Sequence, residues 1–262
     1  TISCTRLKWM VATICRRSNR GVAQTFIPVV DTMKWIFSCL LFAVWPCTAE
    51  QARLNESKPL LRAHSHNDYH HKHPLLDALA SGFCSVEADV FLRDATLLVG
   101  HSRFELKKER TLEALYLVPL AKRVKANGGS VYKRRAPFHL MIDFKTDGPT
   151  TYAALRPLLD KYRFMLTAFT ADTTEPGAVT IVISGSRPRE VMEKDAKRLA
   201  GFDGRLSDLG KAESRHFMPW ISDNWRSHFK WRGKGDLSEG EQAKLVKIVK
   251  SAHAHGQKVR FW

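Results

Sequence analysis

From residue 60 onward, short apolar runs alternate with stretches of helical spacing. Leu60, Leu61, Arg62 and Ala63 form a brief strand-like run that breaks into the polar loop His64-Ser65-His66-Asn67-Asp68-Tyr69. Residues 74–80 predict a helix, with Pro74 at its first position and Gly82 just past its end. Residues 84–92 alternate apolar and polar as a strand does, and 95–100 supply a second, shorter strand. Residues 138–145 predict a strong strand and 151–162 a helix. Residues 179–184 are continuously apolar, like a strand buried on both faces of a parallel sheet. Residues 188–200 predict a helix, again with Pro188 first and Gly201 after it. Residues 217–222 predict a strand. Ser238 and Glu241 form a capping box that opens a helix running to about His255, closed by Gly256, and residues 258–262 predict a final strand.

This repeated alternation predicts the α/β class with a mostly parallel sheet. No glycine-rich phosphate loop follows the first strand, which argues against a nucleotide-binding doubly wound sheet. The expected architecture is a (β/α)8 TIM barrel. About seven of its eight strands can be counted. The chain stops on a strand-like segment, so the barrel is expected to lack its last strand through truncation at the C-terminus.

Residues 1–49 stand apart. Met33 and Lys34 precede an apolar run from Trp35 to Trp45, and small residues follow at Cys47 and Ala49. This pattern predicts a secretory signal peptide over 33–49. The alternative is an N-terminal membrane anchor, although the run is shorter than the roughly 20 residues a spanning helix needs. Residues 1–32 form an unassigned upstream segment, 50–59 a linker, and 60–262 the barrel domain. The expected location is secreted, periplasmic or otherwise extracytoplasmic.

Hydrophobic residues make up 44% and charged residues 26%, enough for a real core and unlike a disordered tail. Lys plus Arg number 42 against 26 Asp plus Glu, a net +16 that excludes an acidic solvating protein and favours anionic partners. The basic stretch Lys122, Arg123, Lys125, Lys133, Arg134 and Arg135 is a candidate surface for an anionic headgroup or for peripheral membrane contact; its alternative is a solvated loop. Nucleic-acid binding would rest on charge alone, since no recognition motif is present, and no obligate protein partner is implied. Only Cys84 lies beyond residue 49, which excludes an internal disulfide framework or a cysteine-based zinc site there.

Six of the eleven histidines fall between 64 and 101. In a barrel of this kind the site lies at the C-terminal ends of the strands, where these polar residues fall. His64 and His66 end the first strand. Glu87 and Asp89 are two apart on the second, which turns both carboxylates to one face, with Val86, Ala88 and Val90 on the other. Two convergent carboxylates repel unless a cation joins them, and oxygen ligands suit Mg²⁺ or Ca²⁺. Asp143 is a candidate third ligand, Lys145 a cation for a phosphate oxygen, and His101 follows another short strand. A metal held there would bind and polarise a phosphoryl group, while one histidine removes a proton from the attacking hydroxyl and the other protonates the leaving oxygen.

The segments A-H-S-H-N-D-Y, P-L-L-D-A-L-A-S-G-F, S-V-E-A-D-V-F-L, L-L-V-G-H and R-T-L-E-A-L-Y-L resemble the PI-PLC-like phosphodiesterase superfamily. Within it they are most similar to the "altered inheritance of mitochondria" branch. V-I-S-G-S-R-P, F-D-G-R-L-S-D-L, I-S-D-N-W and V-R-F-W continue the resemblance, which covers about residues 60–262. It implies a (β/α)8 barrel, a divalent metal and an activity like that of glycerophosphodiester phosphodiesterases or phosphatidylinositol-specific phospholipase C. Ala63-His64 matches the start of the glycerophosphodiesterase motif A-H-R-G, with Ser65-His66 in place of Arg-Gly. The G-H-x-x-N motif of sphingomyelinase D-like enzymes matches His64 and Asn67. The resemblance thus implies His64, ahead of His66, and His101 as catalytic histidines. It implies Glu87 and Asp89 as the E-x-D metal pair, and Asp143 with Lys145 as a D-x-K-T segment. The acid that follows the first strand in glycerophosphodiesterases has no clear counterpart; Asn67 or Asp68 stands there instead.

Two other readings are open. His64-Ser65-His66 could be the H-x-H metal pair of an amidohydrolase or related phosphoesterase barrel, drawing further ligands from His139, His216 or His228. The barrel could also bind a phospholipid or phosphate without turning it over.

Overall fold

A computed structural model describes residues 57–211 and 215–262. The expectations for the upstream segment 1–32, the signal peptide 33–49 and most of the linker 50–59 lie outside the described residues. Among the described residues, no helix is long and apolar enough to cross a membrane.

The elements follow one another as β1 (Leu60–Ser65), α1 (Leu76–Ala80), β2 (Phe83–Arg93), β3 (Thr96–Val99), α2 (Val118–Ala126), β4 (Phe138–Phe144) and α3 (Gly148–Lys161). Then come β5 (Ala168–Phe169), β6 (Thr174–Glu175), β7 (Val179–Gly185), α4 (Arg189–Lys194), β8 (Ala200–Gly204), β9 (Trp220–Asp223), α5 (Trp225–His228), α6 (Glu239–Ala254) and β10 (Lys258–Phe261). The main sheet runs β1-β2-β4-β7-β8-β9-β10, and every pair along that path is parallel. β3 folds back antiparallel on β2. Asp94 and Ala95, both at positive φ, make that turn, as a tight right-twisting hairpin requires. β5 and β6 form a separate antiparallel pair.

Each central strand is buried on both faces. Outward-facing Val86, Ala88, Val90, Leu140, Ile142, Ile181 and Ile183 join one core with Leu79, Leu120 and Leu155 of the helices. Inward-facing Met141, Val182 and Trp220 form a small second core inside the curl. Arg260 on β10 reaches Glu87 on β2 at 2.9 Å, and Lys258 reaches His139 on β4 at 3.1 Å. Such contacts between the last strand and the second and third strands along the sheet are possible only because the sheet curls. The result is a half-barrel, a partial TIM-like barrel, and β10 and β1 are not paired with each other among the described residues.

Two local expectations need revision, and one helix was not expected. The helix expected over 188–200 stops at Lys194, and Ala200–Gly204 is a fully buried strand instead. Asp195 is extended and accepts from Tyr152 and Arg156. Gly201 and Gly204 belong in that strand because a Cβ would collide with Pro219 and Met218; these glycines hide the strand from a periodicity reading. The helix at 118–126, entered through a π-helical turn over Glu113–Leu117, has no counterpart among the expected elements. At the start of α6, Ser238 accepts from the backbone N–H of Glu241, but the Glu241 carboxylate turns to the N–H groups of Lys230 and Trp231 rather than closing the box.

Burial, and then the ammonium of Lys258, push the His139 imidazole from its ordinary 6.5 down to about 3. A neutral native histidine that charges when unfolded makes stability complete above pH 6.5 and erodes it as pH falls toward about 3. The slope for one such group is about 1.4 kcal/mol per pH unit. Urea unfolding of His139→Gln is expected to show a shallower loss of stability below pH 6.5 than the parent; identical slopes would refute the linkage.

Candidate active site

The register of the sheet assembles the site. Asp89 on β2 lies beside Asp143 on β4, which lies beside Ser184 on β7. Glu87 sits one pleat below Asp89 on the same face, as the alternation of the strand requires. One ligand atom each from Glu87, Asp89 and Asp143 lies within 4.8 Å of the others. Gly185 ends β7 at a φ of +70°. Its missing Cβ leaves room for the Asp143 carboxylate and the Phe144 backbone, so a larger residue would push Asp143 out of the group.

Glu87 is the hub of one half. His64 Nε2 lies 3.7 Å from its Oε2, His66 Nε2 3.6 Å, and the Asn67 N–H donates to it at 3.4 Å. Arg260 Nη2 donates to the same oxygen at 2.9 Å. Burial alone would raise the Glu87 carboxyl; His64, Arg260 and His66 outweigh it and hold it well below the usual carboxylate range. His64 is anchored through Nδ1 to the Ser85 hydroxyl at 2.8 Å. Its Nε2 is buried and has no hydrogen-bond partner, since 3.7 Å is too long for one. Burial, and second the Arg260 charge, bring His64 down to about 4 against the pull of Glu87, so its imidazole is neutral near pH 7.

Asp89 is the hub of the other half. Tyr69 donates its hydroxyl to Asp89 Oδ2 at 2.6 Å, His101 Nδ1 lies 3.1 Å from the same oxygen, and Lys145 Nζ 3.0 Å. Lys145 also bridges to Asp143 at 2.9 Å. Burial raises the Asp143 carboxyl, and Lys145 only partly offsets this. Lys145 is held above its ordinary value because these carboxylates outweigh its own burial. The other Asp89 oxygen, Oδ1, is buried without a hydrogen-bond partner.

The structure therefore brings together His64, His66, Asn67, Glu87, Asp89, His101, Asp143 and Lys145. It does not bring in Asp68, which is fully buried on the far side of the loop. There Asp68 accepts from Ser65 at 3.0 Å, the Leu75 N–H at 2.6 Å and Tyr116 at 3.0 Å. Its role is to hold the loop that carries His66 and Asn67. Arg123 leaves the proposed basic surface: it is buried, and its Nε donates to the Val131 carbonyl. The extra histidines of the H-x-H reading are scattered. His139 opens β4, His216 bonds to Thr174, and His228 pairs with Asp223 at 3.2 Å.

Two residues were missed, Tyr69 and Arg260. Arg260 did leave a signal: in Lys258-Val259-Arg260-Phe261 strict alternation places both cations on one face of the last strand. Tyr69 left none beyond its place in the loop.

An all-oxygen donor set and a buried, unpartnered Asp89 Oδ1 fit a hard divalent cation, so Glu87, Asp89 and Asp143 could hold one.

Residues 55–203 match the sequence profile of the AIM6-like phosphodiesterase domain. The chain is 32% identical over 229 residues to "Altered inheritance of mitochondria protein 6 homolog" of Arthroderma benhamiae, covering 76% of this chain and 71% of that protein. It is 33% identical over 249 residues to "Altered inheritance of mitochondria protein 6" of Eremothecium gossypii, covering 83% and 64%. The protein of that name from Saccharomyces cerevisiae is 28% identical over 253 residues, covering 83% and 65%. The chain thus spans about two thirds of the length of these relatives. No solved structure matches it significantly. With more than half the chain matched to the profile and a carboxylate centre lying within the match, the protein belongs to the AIM6-like phosphodiesterase domain family.

Proposed function

We propose that this protein is a metal-dependent phosphoric diester hydrolase acting on a glycerophosphodiester or phospholipid-type substrate. The observation that supports it most is the convergence of three carboxylates, with one histidine beside Glu87 and another beside Asp89. The corresponding fold reading is a (β/α)8 barrel, of which seven parallel strands are described. Glu87, Asp89 and Asp143 would hold Mg²⁺ or Ca²⁺, the ions that oxygen-only sites select. A bound divalent cation supplies charge stabilisation to a phosphoryl oxygen.

The chain's own groups then divide the remaining work. Neutral His64, fixed at Nδ1 by Ser85, turns its unpartnered Nε2 into the site and takes a proton from the attacking water, whose oxygen bonds to phosphorus as the bond to the leaving oxygen breaks. His101 sits at the rim with Nδ1 against Asp89 and Tyr69, and gives a proton to the leaving oxygen. Lys145 keeps Asp89 and Asp143 together. Arg260 counters the charge of Glu87, and His66 and Asn67 line the same side. Peripheral contact with an anionic membrane, through Lys122, Lys125, Lys133, Arg134 and Arg135, belongs to the same proposal, as does an extracytoplasmic location.

Hydrolysis of bis-p-nitrophenyl phosphate tests this directly. Turnover is expected with Mg²⁺ or Ca²⁺ and is expected to fall to background in EDTA, recovering on metal addition. Activity that survives EDTA undiminished would remove the metal role.

A further inference from the structure

A cavity of about 330 Å³ opens at the other end of the curled sheet from the carboxylates. His139, Thr180, Trp220 and Lys258, near the starts of β4, β7, β9 and β10, line it, with Phe169 of the β5–β6 pair and Arg215 closing it. Asp143 lies four residues beyond His139 on β4, about 13 Å along the strand at ~3.3 Å per residue. Met141, Val182 and Trp220 pack between the two ends. The cavity is therefore separate from the carboxylate centre.

Its charge is one-sided. No Asp or Glu lines it. Lys258 Nζ donates to His139 Nε2 at 3.1 Å, and among the described residues no carboxylate pairs with it. A neutral imidazole takes one of the three ammonium donors and returns no counter-charge. Lys258 lies at the solvent-exposed mouth of the cavity with no counter-charge beside it, and an oxyanion is the natural complement of such a cation. Trp220 and Phe169 supply an apolar wall. The volume, at the lower end of small-molecule sites, exceeds what a bare phosphate needs.

We propose that this cavity is a second, non-catalytic binding site for a small organic phosphate, its oxyanion on Lys258 and Arg215 and its apolar body against Trp220 and Phe169. The inference does not depend on the proposed hydrolase activity.

Calorimetric titration of the full chain in EDTA, with phenyl phosphate as the probe and inorganic phosphate as a second arm, tests it. One saturable site for phenyl phosphate is expected, with inorganic phosphate binding more weakly. Lys258→Met and Arg215→Met should each weaken phenyl phosphate binding by about tenfold or more, the worth of a charge-assisted hydrogen bond. Arg260→Gln, at the carboxylate centre, should leave it within about twofold. Arg215 is exposed, so its variant serves if Lys258→Met fails to fold. No binding by the parent, or loss in Arg260→Gln with retention in Lys258→Met, would overturn the proposal. Equal affinity for the two probes would overturn the apolar wall.

Discussion

His64→Ala is expected to lower kcat for phosphodiester hydrolysis by about 10²–10⁴-fold, the usual worth of a positioned general acid or base. The expectation rests on how the ring is held. Ser85 occupies Nδ1, burial keeps the imidazole neutral, and Nε2 faces the carboxylate group with no partner. Alanine removes the proton acceptor while sparing Glu87, whose closest contact is Arg260 at 2.9 Å. His101→Ala is expected to cause a loss of similar order, with metal affinity retained in both variants. His73→Ala is the control, since that ring pairs with Asp77 on the exposed face of the loop and should leave kcat unchanged. Steady-state kinetics at saturating Mg²⁺ decide the matter; a folded His64→Ala protein with parental kcat would refute the assigned role.

The largest stability effect is expected from Asp68→Ala. One fully buried carboxylate satisfies the Ser65 hydroxyl, the Leu75 N–H and the Tyr116 hydroxyl together. Leu75 is strained: its φ is 65° and its ψ −50°, and it lies in a γ-turn closed by the Leu76 N–H on the Pro74 carbonyl. Such a backbone persists only where the surroundings hold it, and Asp68 is what holds it. Each buried donor left unpaired costs about 1–3 kcal/mol. Allowing for relaxation, the sum is expected at about 3–5 kcal/mol in urea unfolding, or roughly 10 °C in Tm for a domain of this size. Burial already raises the Asp68 carboxyl despite its donors, so Asp68→Asn, which keeps one acceptor oxygen, should cost less than alanine. Equal stabilities for the parent and Asp68→Ala would show that the loop is not held this way.

Both effects arise in one stretch of chain whose parts looked alike in sequence. His64, His66, Asn67 and Asp68 sit within five positions, yet the first three face the carboxylates and the fourth faces the core. Asn67 makes the division. Its left-handed backbone, φ 52° and ψ 43°, reverses the chain between His66 and Asp68. A tract of polar residues carries no periodicity from which such a reversal can be read.

Elsewhere local pattern was enough. Side-chain direction alternates on a strand whatever its partners are, so the pairing of Glu87 with Asp89, and of both against Val86 and Ala88, followed from β2 alone. The repeated strand–helix order determined the parallel sheet, because parallel neighbours need a crossover between them. What only the tertiary structure decided is which faces meet. Arg260 closes on Glu87 across 173 positions, and Asp143 joins Asp89 through the register of two strands. The short strand β8 carries glycines because Pro219 and Met218 press against it from outside its own segment. Periodicity reports the face a residue takes on its own element. It is silent on the curl of the sheet, which arises from strand twist summed over many neighbours and sets the final geometry of the site.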